Sequence, residues 1–181
     1  MATTRRRPVY LDHHATTPVD PRVVAAMAPF FTEIYGNAAS RHHAFGWAAR
    51  DAVETARAQV AALVGCRPRD LYFTSGATES NNLVIKSLGN RNDRSPAHVV
   101  TAMTEHRSVL DPCRRIEEAG TRVTYVQPDL DGLIDVNAVE RELTDRTTLM
   151  SVMTANNEIG VLQPITAVSY THLTLPTKRI V

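Results

Sequence analysis

Between Leu71 and Met153 short apolar segments alternate with amphipathic ones, and this alternation constrains the fold more than any other feature of the chain. Leu71 to Thr74, His98 to Ala102, Arg122 to Val126 and Thr148 to Met153 read as strands. Between them, helices are expected from about Thr78 to Leu88, from Ser108 to Ala119 and from Asp135 to Leu143. Gly89 ends the first, Pro112 falls near the first turn of the second, and Asp135 caps the third. Strands alternating with helices call for an α/β fold with a parallel-rich sheet covered on both faces. Upstream, Asp20-Pro21 opens a helix bearing Val23, Val24, Met27 and Phe31, which Gly36-Asn37 stops. A longer helix, Gly46 to Val64, carries the stripe Val53, Ala56, Val60 and Leu63 and ends at Gly65.

The chain has 181 residues, with 20 Lys+Arg against 19 Asp+Glu and 43% hydrophobic residues. A near-zero net charge gives no electrostatic case for nucleic acid or an anionic membrane as partner. No apolar run approaches the roughly 20 residues of a bilayer span. The three arginines near the start have no apolar segment behind them, so no secretory signal is expected. These features suit a soluble, cytoplasmic protein. Only Lys86 and Lys178 are lysines, so chemistry that needs a lysine amine has two candidates. Cys66, just past a helix end, and Cys113, inside one, read as packing residues rather than nucleophiles. His13-His14 and His42-His43 lack a completing Cys or carboxylate, and no metal site is expected.

Three polar turns carry possible chemistry. In Phe73 to Asn82 a strand end passes through Gly76 into a helix, which presents free backbone N–H groups and the positive end of the helix dipole to an anion such as phosphate. The plainer reading is that Ser75 or Thr78 only caps a helix. Thr104-Glu105-His106 follows the next strand, at the carboxyl edge where open α/β sheets bind ligands. An imidazole there stacks on an aromatic ligand or moves a proton, although a lone histidine is more often a surface residue. Asn156-Asn157-Glu158-Ile159-Gly160 follows the last strand and supplies amide donors and acceptors. Together, the sheet topology gathers the three into one pocket.

At these residues the chain resembles the cysteine desulfurases of the class V aminotransferase family, which depend on pyridoxal phosphate. Matching stretches run in order from about Val9 to Ile165. They are Tyr10-Leu11-Asp12 with Ala15 to Asp20, Gly36-Asn37-Ala38-Ala39-Ser40, Phe45-Gly46-Trp47, Phe73 to Ser80, Thr104-Glu105-His106, and Asn156 to Val161. The resemblance implies the type I fold of pyridoxal-phosphate-dependent transferases. It implies that Ala77 and Thr78 hold the cofactor phosphate, that His106 stacks on the pyridine ring and assists proton transfer, and that Asn157 bonds the ring's 3-oxygen. It further implies L-cysteine as substrate and alanine as product. Sulfur leaves as an enzyme persulfide for a sulfur acceptor or iron–sulfur scaffold protein, and the full-length enzyme is a homodimer.

The family's Schiff-base lysine lies in a downstream Ser-x-His-Lys motif, and its nucleophilic cysteine lies later still; neither motif occurs in this sequence. The expectation is therefore an N-terminal fragment, inactive alone and prone to association. Residues 1–15 would belong to the small domain and residues 16–167 to a truncated large domain. Residues 168–181 would be a non-native tail, since Val168 to Val181 lacks acids, glycines and a helical stripe and Val168 to Thr177 matches a one-frame translation of a sequencing-library adapter. The rival readings are a non-catalytic binding module derived from a desulfurase, and a selenocysteine lyase or other class V aminotransferase.

Overall fold

The structure, a computed structural model, describes residues 8–89 and 97–173. Contacts divide the chain into two units, Met1–Phe73 and Thr74–Val181.

In the first unit, helix α1 (Pro21–Met27) begins as expected: the Asp20 carboxylate accepts from the Arg22 N–H at 2.8 Å, and Pro21 occupies the first turn. The short α2 (Pro29–Thr32) follows at once. Helix α3 (Ala44–Val64) is capped by His43, whose Nδ1 accepts from the Gly46 N–H at 3.2 Å, and is ended by Gly65 at φ 72°. Two glycines lock the loop before α3 onto its start. A Cβ on Gly36 would lie 2.1 Å from the Phe45 carbonyl oxygen, and one on Gly46 would lie 2.0 Å from that of Ser40. The Trp47 indole N–H donates to Arg41 O at 2.8 Å, closing the same corner. Leu71 to Phe73 forms no strand, contrary to expectation. So short an apolar segment makes a strand only with a ladder partner, and none is present among the described residues. Cys66 is exposed rather than packed, and its N–H closes the α3 terminus on Ala61 O at 2.9 Å.

The second unit runs α4 (Ala77–Gly89), β1 (His98–Ala102), α5 (Arg107–Glu118), β2 (Arg122–Val126), α6 (Val136–Glu142), β3 (Thr147–Ser151) and α7 (Ile165–Leu173). The three strands pair in parallel in the order β2-β1-β3. Every residue of β1 is buried, and its alternation feeds two cores. Val99 packs with Ile85 of α4, with Val109, Cys113 and Ile116 of α5 and with Val123. Val100 and Ala102 pack with Val126, with Val139 of α6 and with Ile134, Leu143 and Val168. The sheet is thus covered on both faces. Gly89 lets α4 approach α5, since a Cβ there would meet the Ile116 Cγ2 at 2.8 Å.

Two local expectations need correction. Pro112 stands inside α5, a turn later than read, where it removes the N–H that would bond Ser108 O. Val168 lies in a helix, α7, and is buried. One valine docked on the α6 side of the sheet holds that turn without the repeating stripe the sequence lacks. The expected tail beyond residue 173 lies outside the described residues.

Candidate functional site

The first expected turn, Thr74 to Gly76, opens α4, although no strand feeds it. The Glu79 carboxylate reaches back to accept from both the N–H and the hydroxyl of Ser75, at 2.6 and 2.7 Å. These bonds lower its pKa. Thr74 Oγ1 meets Ser80 Oγ at 2.8 Å. With Ser75 occupied, the N–H groups of Ala77 and Thr78 remain as first-turn donors without an acceptor among the described residues, as the geometry of any helix start dictates. Gly76 sits at φ +155°, and the place a Cβ would take has nothing within 4 Å. The backbone is open at that point.

The second turn carries His106 between β1 and α5. His106 caps α5: its Nδ1 accepts from the Ser108 N–H at 3.0 Å and lies 2.9 Å from Ser108 Oγ. The neighbouring Glu105 is buried and accepts from the Met153 N–H. Burial raises its pKa, and the Met153 bond partly opposes the rise. The hydroxyl of Thr104 is buried and has no partner among the described residues.

The third turn, after β3, is organised by Asn156 rather than Asn157. Asn156 is buried; its Oδ1 accepts from the N–H groups of Glu158 and Ile159 at 2.8 and 3.0 Å, and its Nδ2 donates to Thr104 O at 2.9 Å. Every polar atom of its amide is used inside the protein. Asn157 stands exposed beside it, with its amide free of partners among the described residues.

Thr78 and His106 line one groove of about 360 Å³ between α4 and α5. Ala77 adjoins Thr78 at the helix start, whereas Asn157 does not line the groove. The turns are nevertheless linked: Asn81 of α4 donates to Ser108 Oγ at 2.9 Å, and Asn156 binds the carbonyl of Thr104. The groove also takes in Asn82, Lys86, Arg107, Asp111 and Arg115. Its three cations against one acid suit an anionic ligand. Sequence reasoning missed Arg107, Asp111 and Arg115, whereas Thr78, Asn82 and Lys86 recur at every fourth position and so mark one polar face of α4. Neither cysteine lines the groove, and burial, with Glu105 and Glu117 nearby, pushes the Cys113 thiol up to about 11. Among the described residues no cluster of three His, Cys, Asp or Glu could hold a metal, and no helix is long and apolar enough to cross a membrane.

The family model for class V aminotransferases matches residues 9–173. The chain belongs to that family. Mitochondrial cysteine desulfurase from Drosophila melanogaster is 52% identical over 162 residues, covering 90% of this chain and 35% of the relative. Cysteine desulfurase IscS from Photorhabdus laumondii is 53% identical over 163 residues, covering 89% of this chain and 40% of the relative. Among solved structures, a NifS-like protein superposes with a TM-score of 0.85 at 37% identity over 90% of this chain and 44% of its own. SspA in complex with cysteine gives 0.82 at 34% identity over 91% of this chain and 47% of its own. This class V chain therefore spans 35–40% of the length of these curated relatives. The α/β fold with a parallel sheet is the one these two solved structures share with it.

Proposed function

We propose that this chain is the cofactor-gripping part of a pyridoxal-phosphate-dependent cysteine desulfurase, which takes sulfur from L-cysteine, leaves L-alanine and passes the sulfur to an enzyme persulfide. The observation that carries the reading is the shared groove: Thr78, in the first turn of α4, and His106 border one cavity with an excess of cations. Three further features support the cofactor. The backbone over Gly76 is open to an anion, and among the described residues the buried Thr104 hydroxyl lacks a partner and the Asn157 amide is unspent.

When bound, pyridoxal phosphate supplies an electron sink for chemistry at the amino acid's α-carbon. The chain's own residues provide placement. Ala77 and Thr78 hold the phosphate through backbone N–H groups, the Thr78 hydroxyl and the helix dipole. His106 covers the ring and holds or moves a proton at Nε2, since Nδ1 is taken by Ser108. Asn157, outside the groove lining, would donate to the ring's 3-oxygen, a role that rests on the family resemblance alone. Residues 16–167 act as the large domain and residues 1–15 as the start of a small domain, with residues 168–181 a non-native addition. A sulfur acceptor or iron–sulfur scaffold as partner, a homodimer, and a cytoplasmic location belong to the same proposal. The mitochondrial relative makes that organelle the rival location.

The chain as given holds the cofactor without a covalent bond and does not turn over cysteine. Lys86 lines the groove, but eight residues of helical rise, ~12 Å, separate it from Thr78. The test is titration with pyridoxal phosphate, followed by borohydride reduction and peptide mapping. Saturable binding that weakens about tenfold in Thr78→Val, with no lysine labelled, is the expected result. Borohydride trapping at Lys86, or affinity indifferent to Thr78, would refute it.

A further inference from the structure

Both the hydroxyl and the N–H of Ser108 lie within hydrogen-bond distance of His106 Nδ1, at 2.9 and 3.0 Å. The N–H can only donate. Ser108 Oγ receives the Asn81 amide N–H at 2.9 Å, which frees the serine's own proton for Nδ1. Ser108 is buried, so water does not compete for these bonds. A proton on Nδ1 would confront the Ser108 N–H and leave that buried donor unpaired. Nε2 has no partner among the described residues, and the ring borders the groove.

We propose that Asn81 and Ser108 are positioning residues that fix His106 in the Nε2–H tautomer and aim that N–H at the ligand in the groove. Asn81 stands on α4, the helix whose first turn forms the anion cradle, so one amide ties the orientation of the imidazole to the cradle. The tautomer itself does not depend on the cofactor reading, whereas its service to a bound ring rests on it.

Two measurements on the full chain separate these parts. Without cofactor, long-range proton–nitrogen NMR of the His106 ring reports which nitrogen carries the proton. Wild type shows Nε2–H. Ser108→Ala raises the Nδ1–H share about fivefold, the worth of one ordinary hydrogen bond; Asn81→Leu moves it the same way, and Ser108→Thr restores it. Wild-type protein carrying the proton on Nδ1, or variants that leave the ratio unmoved, would overturn the relay, and the wild-type spectrum decides even if a variant misfolds. With pyridoxal phosphate added, Ser108→Ala is expected to weaken binding about fivefold and Ser108→Thr to recover it. A tautomer shift with unchanged affinity would overturn the positioning role. Absence of binding to wild type would sink the proposed function and leave the tautomer result standing.

Discussion

At the scale of single residues, some polar side chains are fully engaged in structure while their sequence neighbours are not. Asn156 is engaged in holding its turn, whereas the Asn157 amide has no partner among the described residues; Glu105 is engaged, and His106 borders the groove. His98 is the extreme case. It is buried at the start of β1, with Nδ1 2.9 Å from Thr147 Oγ1 and Nε2 2.9 Å from Thr124 Oγ1, so one imidazole clips all three strands. Burial and the nearby Arg122 lower its pKa from 6.5, against a weaker opposing pull from Glu142. The folded state therefore binds this proton less well than the unfolded chain, and the unfolded chain holds more protons just below its own pKa. Stability is whole above about pH 6.5 and falls as pH drops toward the depressed folded value. Urea unfolding at about pH 7.5 and 5.5 should show a loss of midpoint on acidification that is smaller in His98→Asn, which cannot titrate. An equal loss in both would place the acid sensitivity elsewhere.

Elements show why some family stretches are read more easily than they are explained. The string around Gly36 and the one around Gly46 enter the sequence reading only as family matches, and in the structure both serve a corner: each glycine sits where a Cβ would strike a carbonyl oxygen of the other segment. Gly46→Ala should cost about 3 kcal/mol as overpacking against backbone that cannot yield, measured by denaturant unfolding. A change below about 0.5 kcal/mol would mean that the loop relaxes freely. Strands β1 and β2 and helices α1 and α3 to α6 were legible because their caps and apolar periods are local. The segment Leu71 to Thr74 misled because a strand is defined by its neighbour, which no local pattern contains. Helix α7 misled in the opposite sense, since a single buried valine holds it. That Thr78 and His106 border one groove was legible from the turns they occupy. The Asn81–Ser108 hydrogen bond was not, because it forms only when α4 and α5 pack.

For the whole molecule, two kinds of unsatisfied surface decide its behaviour in solution. In the β2-β1-β3 order, each outer strand keeps one edge without a ladder partner among the described residues, and such edges pair with other chains. The second unit also exposes Leu130, Ile159, Leu162 and Tyr170, and the first exposes Phe31, Tyr35, Leu63 and Tyr72. Apolar exposure on this scale drives association when it lies in patches, and charge placed within a patch opposes it. The chain as given should therefore sediment as concentration-dependent oligomers or be lost to precipitate. Leu130→Lys with Leu162→Lys should shift sedimentation toward monomer without altering the far-ultraviolet spectrum, because both side chains are exposed and neither belongs to a core. If the double variant associates as strongly as wild type, the sheet edges rather than the apolar side chains drive the contact, and a charged residue on β2 becomes the informative change. A wild-type chain that stays monomeric at every concentration and melts in one cooperative step would contradict both causes, since neither an open ladder nor solvent-facing leucines would then be available for a second copy.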